Sequence, residues 1–323
     1  MTDYLIKALA FNGEIRAFAV DATKTVETAH EMHDTWSASS AALGRTLIAN
    51  VMFAKNLKGD DEISIQVNGD GLGGKIFTTA KANGDVKGYI SNPRVVLPPT
   101  EAGKINVRAV VGTEGTITVI KDLGLKEPFT GQIPIVDGEL GADFTYYMAV
   151  SEQINGAIGL SVLVDTDDTI RTAGGFMVQV MPGASEETLE ILEKRLATLP
   201  QISQLMDKGA TPEDILTALF GEENYQVLSH EPIQFKCHCS KERFATGLKS
   251  LGRAELKAMI DEDHGAEVVC HFCNKKYFFD VDELQAMIDD ITAKITKIEQ
   301  EVDEDNARID DIAEDQDDKD GEL

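Results

Sequence analysis

Residues 236–243 read Lys-Cys-His-Cys-Ser-Lys-Glu-Arg, and residues 270–276 read Cys-His-Phe-Cys-Asn-Lys-Lys. These two stretches hold all four cysteines of a 323-residue chain. One pair is CxC and the other CxxC, with 30 residues between them. Two close pairs joined by a loop suit a tetrahedral metal site, because each pair delivers two thiolates to one ion. Sulfur donors favour zinc over the hard cations. Cys237, Cys239, Cys270 and Cys273 are therefore the expected ligands of one zinc ion. Four unrelated buried thiols would not be expected to fall in pairs. His238 or His271 could replace a thiolate, but four sulfurs already complete the shell, so both histidines read as neighbours that tune it. Lys236, Lys241, Arg243, Lys275 and Lys276 flank the pairs. They would stabilise thiolate over thiol; ordinary solvated surface charge is the competing reading.

A unit of roughly 50 residues seldom folds on its own core. Structural zinc supplies about 10–16 kcal/mol of apparent folding free energy. Oxidation would remove the donor set, because a disulfide sulfur is a poor ligand. Cys237–Cys239 and Cys270–Cys273 are close enough to bridge, although spacing alone does not fix the connectivity. The site is thus a candidate redox switch.

Upstream, residues 1–181 read as a mixed α+β domain with an antiparallel sheet. Tyr4–Val20 alternates around Asn12-Gly13, which signals a type I′ hairpin. Residues 39–57 and 141–153 read as helices. Strands are expected at 62–68, 75–81, 85–91, 105–111, 115–121, 157–164 and 174–181, with Asn83-Gly84 as a second hairpin turn. The composition changes at Met181-Pro182-Gly183. Residues 182–232 read as a helical linker of two or three short helices, capped by Ser185 and Thr211. Its apolar faces have little bulk, so it must lean on a neighbour or stay marginal. Residues 233–290 form the small zinc-binding domain. A helix begins near Asp280 with Glu283 three residues on, a capping-box pattern. Val281, Leu284, Ile288, Ile291, Ile295, Ile298 and Val302 then follow heptad spacing. The pattern skips at Asp305 and resumes at Ile309 and Ile312. The tail, 291–323, grows strongly acidic: residues 301–323 hold 12 acidic and 2 basic side chains.

The formal net charge is −26. That disfavours a nucleic-acid binder, whose affinity comes mainly from Lys and Arg. No apolar run is long enough for a membrane span, and the N-terminus lacks a signal-peptide pattern. A cytoplasmic location is expected, where cysteines stay reduced.

Several motifs resemble catalytic ones and fail on context. Residues 69–75, Gly-Asp-Gly-Leu-Gly-Gly-Lys, match the spacing of a phosphate-binding loop. A strand rather than a helix is expected to follow, and Ile76 stands where magnesium coordination needs Ser or Thr. Nucleotide binding is not expected. His264-Gly265-Ala266-Glu267 is one residue too long for the deaminase motif, and Val269 rather than Pro precedes Cys270. His30 and His33 lie in an expected helix without an HExxH pattern. A four-thiolate shell leaves no open position for water, so a zinc hydrolase is disfavoured and no enzyme is expected.

The chain resembles the bacterial redox-regulated chaperones called heat-shock protein 33, over about residues 3–290. The matching stretches include Leu43-Gly44-Arg45, Leu57-Lys58-Gly59, Gly88-Tyr89 with Asn92-Pro93, and Ile120 to Gly124. They continue with Gly138-Glu139, Tyr146-Tyr147, Ser151-Glu152-Gln153, Ala173 to Phe176 and the two cysteine pairs. The resemblance implies an ATP-independent holdase, inactive while reduced and zinc-bound. Oxidation would release zinc and form the disulfides Cys237–Cys239 and Cys270–Cys273. The linker would then unfold, and the chain would bind unfolding client proteins and form a homodimer. A constitutive zinc-stabilised interaction module without a switch is the alternative. The acidic extension departs from the family pattern. It reads either as a helix that docks on the linker or self-associates, or as a frayed helix running into a disordered, solubilising tail.

Overall fold

The computed structural model describes residues 2–320, with side chains described through residue 302. The chain divides into two units, residues 1–237 and 238–323.

The first unit begins with β1 (Tyr4–Ala10), β2 (Ile15–Asp21), α1 (Thr23–His33) and α2 (Ser37–Ala54). β3 (Glu62–Gly69), β4 (Lys75–Lys81) and β5 (Asp85–Ile90) follow, then α3 (Val107–Val111), β6 (Gly115–Asp122) and β7 (Phe129–Pro134). α4 (Gly141–Val150), β8 (Gly156–Val164) and β9 (Ile170–Val180) lead to three helices, α5 (Glu186–Thr198), α6 (Ile202–Asp207) and α7 (Pro212–Phe220). β10 (Tyr225–Pro232) and β11 (Gln234–Phe235) close the unit.

These strands form two sheets. One is antiparallel, in the order β10-β1-β2-β9-β8. The other runs β11-β5-β4-β3-β6-β7 and is antiparallel except where β11 meets β5. α2 packs against strands of both sheets, and Leu43, Leu47, Ile48 and Met52 are buried on it. Such a helix is apolar nearly all round because it has no face toward water.

The α+β expectation holds, with several local differences, among them β7, a strand not among those expected from the sequence. The first hairpin forms, but its turn is not the two-residue type I′. Residues Phe11–Gly13 make a wider turn with Phe11 and Asn12 both at positive φ. The Phe11 amide donates to the carbonyl of Asn224 at 2.8 Å, and its ring meets Phe220 edge-on. Those contacts hold a backbone conformation that Phe alone disfavours. Residues 107–111, expected as strand, are the short helix α3, capped by the Asn106 side chain accepting from the Ala109 amide. The helical reading of 182–232 holds through Phe220, but 225–232 is strand β10, antiparallel to β1.

The glycine-rich stretch 69–75 is the β3–β4 connection, and β4 rather than a helix follows it. Gly71 lies against the backbone of 110–112; a Cβ there would come 2.4 Å from the Gly112 nitrogen. Asp70 accepts from the amides of Thr113 and Glu114. The glycines serve close backbone approach, and the loop lacks the helix N-terminus that phosphate binding uses.

The second unit holds α8 (Lys241–Leu251), α9 (Arg253–Asp263), the hairpin β12 (Ala266–Val269) and β13 (Lys276–Phe279), and α10 (Val281–Asp320). Its core is small: Leu248, Leu256, Tyr277, Phe279, Leu284 and Met287. α10 starts as its sequence predicts. Asp280 accepts from the Glu283 amide, and the Glu283 carboxylate accepts from the Asp280 amide. Its helical backbone runs on through the acidic stretch to Asp320. The side chains of Asp305, Ile309 and Ile312, and residues 321–323, lie outside the described residues. No helix among the described residues is long and apolar enough to cross a membrane.

Candidate metal centre

Hairpin geometry presents the second cysteine pair. The amide of Cys270 donates to the Lys275 carbonyl, and the amides of Cys273 and Asn274 donate to the Cys270 carbonyl. Asn274 takes the left-handed conformation that closes this turn. The loop between β12 and β13 therefore folds back and puts Cys270 and Cys273 at its tip. The first pair follows β11, where the Lys236 amide donates to the Val86 carbonyl. Ser240 then caps α8 by accepting from the Arg243 amide.

All four sulfurs, of Cys237, Cys239, Cys270 and Cys273, lie within 4.8 Å of one another. Cys239 and Cys273 approach to 3.4 Å, well beyond a disulfide bond of about 2.05 Å. A tetrahedron with metal–sulfur bonds of about 2.3 Å has edges of about 3.8 Å. The cluster fits a four-coordinate, thiophilic ion. Cys270 is buried and the others are half-buried. No histidine joins this group of donors.

Tyr277 is a site residue that the sequence did not single out. Its hydroxyl donates to the Cys239 carbonyl at 3.1 Å and lies 3.2 Å from the Cys239 sulfur. The hydrogen bond with Cys239, then desolvation and the nearby sulfur charges, raise its pKa well above the ordinary tyrosine value. The phenol stays neutral and acts as a donor. Phe244 packs on its ring at 5.1 Å, and the Lys275 ammonium lies over it at 5.2 Å.

The basic residues that flank the pairs have structural partners. Lys236 pairs with Asp85, Lys241 with Glu283, and Lys276 with Glu267. Arg243 donates to the His238 carbonyl. Lys241 also lies over the Phe279 ring at 5.0 Å, so the Glu283 pair ties α8 to the start of α10.

A second feature bears on function. α5, α6 and α7 cover the outer face of the β10-β1-β2-β9-β8 sheet. Leu192, Ile202, Met206, Ile215, Leu216, Leu219 and Phe220 are buried there. They face Ile6, Ile15, Ala17, Ala19, Phe176 and Val178 on the strands. Their removal would bare an apolar sheet face.

Comparison with known proteins agrees with this arrangement. A family model described as "Hsp33 protein" matches residues 3–280. The 33 kDa chaperonin of Enterococcus faecalis is 57% identical over 290 residues, spanning 90% of this chain and 97% of that protein. The 33 kDa chaperonin of Staphylococcus carnosus is 50% identical over 291 residues, spanning 90% and 99%. The solved structure of the 33 kDa chaperonin of Thermotoga maritima, a heat shock protein 33 homolog, matches with a TM-score of 0.84 and 34% identity. It covers 92% of this chain and 100% of that one. On a family match of this length, and at these identities, the chain belongs to the Hsp33 family, whose members are chaperones and not enzymes.

Proposed function

We propose that the chain is a redox-regulated, ATP-independent holdase of the cytoplasm, switched at Cys237, Cys239, Cys270 and Cys273. The observation that carries this reading is the gathering of all four sulfurs into one cluster beside a small core. Zinc, when bound there, ties four thiolates together and supplies the stability that core lacks. In the oxidised state the pairs are Cys237–Cys239 and Cys270–Cys273. Two peroxides would accept four electrons and four protons, leaving two disulfides and four waters. A disulfide sulfur no longer serves as a thiolate donor, so the small unit loses its staple.

The parts are a core over 1–181, a metastable linker over 182–232, the switch over 233–290 and the acidic tail over 291–323. Loss of the switch unit loosens α5, α6 and α7. Client proteins that expose apolar surface then bind the uncovered sheet face and the melted helices. The oxidised form is a homodimer. High net negative charge keeps such a species soluble.

The test treats zinc-loaded protein with hypochlorite and follows metal release, thiol loss and light scattering from an aggregating client. Metal release with suppression of scattering only after oxidation is the expected result. Suppression of equal size before oxidation would mean a constitutive module. Metal release without suppression would remove the holdase reading.

A further inference from the structure

α6 sits on the β10-β1-β2-β9-β8 sheet through few side chains. It is 6 residues long, too short to persist without a seat. Its buried side chains are Ile202 and Met206, and Asp207 beside them pairs with Arg171 of β9 at 2.6 Å. Met206 meets the sheet where β9 has no side chain. A Cβ on Gly174 would come 2.6 Å from the Met206 sulfur and 2.7 Å from its Cε. The glycine therefore leaves the slot that the thioether fills. The buried side chains around it, among them Ile6, Ala19, Phe176 and Leu219, are apolar. While α6 is docked, Met206 is only 6% exposed.

A thioether sulfur is a nucleophile, and its oxidation gives a polar sulfoxide. With hypochlorous acid the net step forms one S–O bond and breaks the O–Cl bond. Sulfur gives up two electrons, and chloride and a proton leave. The added oxygen needs room, which the sulfur and Cε already occupy against Gly174. It also needs a hydrogen-bond donor, which the apolar side chains around it do not supply. The docked slot thus shields the sulfur from oxidant, and a sulfoxide does not fit the slot.

We propose that Met206 is a second oxidation site of this chain, modified by hypochlorous acid once α5, α6 and α7 have left the sheet, and that its sulfoxide keeps α6 from docking again after the thiols are reduced. The inference rests on the redox-switch reading above, in which thiol oxidation opens these helices. Thiol reduction and zinc then restore the cysteine site but not the helix, which waits for reduction of the sulfoxide. Other methionines serve as internal controls. Met32 on α1 is 37% exposed and takes up oxygen in either state, whereas Met52, Met148 and Met177, each 0% exposed in the main core, take up none.

The test treats the zinc-loaded full chain with hypochlorite or with diamide, which oxidises thiols only, and then adds dithiothreitol and zinc. Peptide mass spectrometry reads the oxygen added at each methionine, and hydrogen exchange reads residues 186–220. After diamide, exchange should rise and, on reduction, return to its starting value. After hypochlorite, Met206 should carry the oxygen, and exchange over 202–207 should stay about tenfold or more above its starting value. Met206→Leu, which keeps the apolar volume and cannot be oxidised, should reset fully, as should the wild type after treatment with methionine sulfoxide reductases. A Met206 left unoxidised, a wild type that resets with its sulfoxide in place, or a Met206→Leu chain that stays open would each overturn the proposal. Unchanged exchange over 186–220 after diamide would instead remove the switch reading on which it rests.

Discussion

The ammonium of Lys55, at the end of α2 and nearly sealed from solvent, lies 2.9 Å from the carboxylate of Glu231 on β10. It also donates to the Ala82 carbonyl, while Lys7 approaches the same carboxylate at 3.8 Å. The strand that follows α5, α6 and α7 is thus fastened to the central helix by a buried charge. Glu231→Gln leaves that charge without its counter-ion. Because Glu231 is partly exposed, the expected loss is about 1–3 kcal/mol, below that of a fully buried pair. A lowered urea midpoint checks it, and Lys55→Met/Glu231→Gln should recover much of the loss.

The same pair predicts a pH dependence. Burial pushes the Glu231 carboxyl up, but hydrogen bonds from Lys55 and Ser229 and the charges of Lys55 and Lys7 bring it below its ordinary 4.5. A depressed folded-state pKa stabilises the fold above the unfolded value, and the stabilisation fades as pH falls through the folded one. Urea midpoints should therefore drop below about pH 4.5 more steeply in the wild type than in Glu231→Gln. Equal slopes would show that the pair does not carry the effect.

Phe220 is fully buried between α7 and the sheet. Phe220→Ala should cost about 3–5 kcal/mol locally. If the linker helices cover the client surface, this variant should suppress client aggregation while still reduced. Wild-type behaviour in reduced buffer, with faster hydrogen exchange over 186–220, would separate helix loosening from client binding.

Cys270 is the most buried of the four thiols. Cys270→Ser should abolish high-affinity zinc binding and raise hydrogen exchange throughout 238–290. Chelation of the wild-type ion should do the same, given about 10–16 kcal/mol of metal-linked folding energy.

Tyr277→Phe keeps the ring and deletes the hydroxyl that donates to Cys239. About 1 kcal/mol of stability should be lost, with metal affinity falling about tenfold or more. Competition with a chromophoric chelator measures the affinity, and an unchanged value would make the hydroxyl a packing detail.

The cysteine cluster was legible because its donors are adjacent in sequence, so short-range spacing reports three-dimensional proximity. Tyr277 was not, since a tyrosine in the run Lys-Tyr-Phe-Phe signals only strand packing. The Asn12-Gly13 hairpin was legible as a hairpin, but its turn was set by Asn224 and Phe220, some two hundred residues away in sequence. Val107–Val111 is β-branched enough to suggest strand, and the Asn106 cap with tertiary packing makes it helix. β10 escaped notice because Tyr-Gln-Val-Leu-Ser-His-Glu-Pro has no apolar run; as an edge strand it needs none.

The position of β10 has one more consequence. β9 ends at Val180 and β10 begins at Tyr225, and both belong to one sheet. If the three helices between them melt while Lys55 still holds Glu231, the released segment is a closed loop pinned at both ends, not a loose tail. Loop-closure entropy grows only slowly with length, so re-docking is an intramolecular search over a short radius. On the proposed holdase reading, the clamp would make the open state recoverable: a polypeptide caught by the loop would be held against the sheet, and the helices would displace it as they re-form.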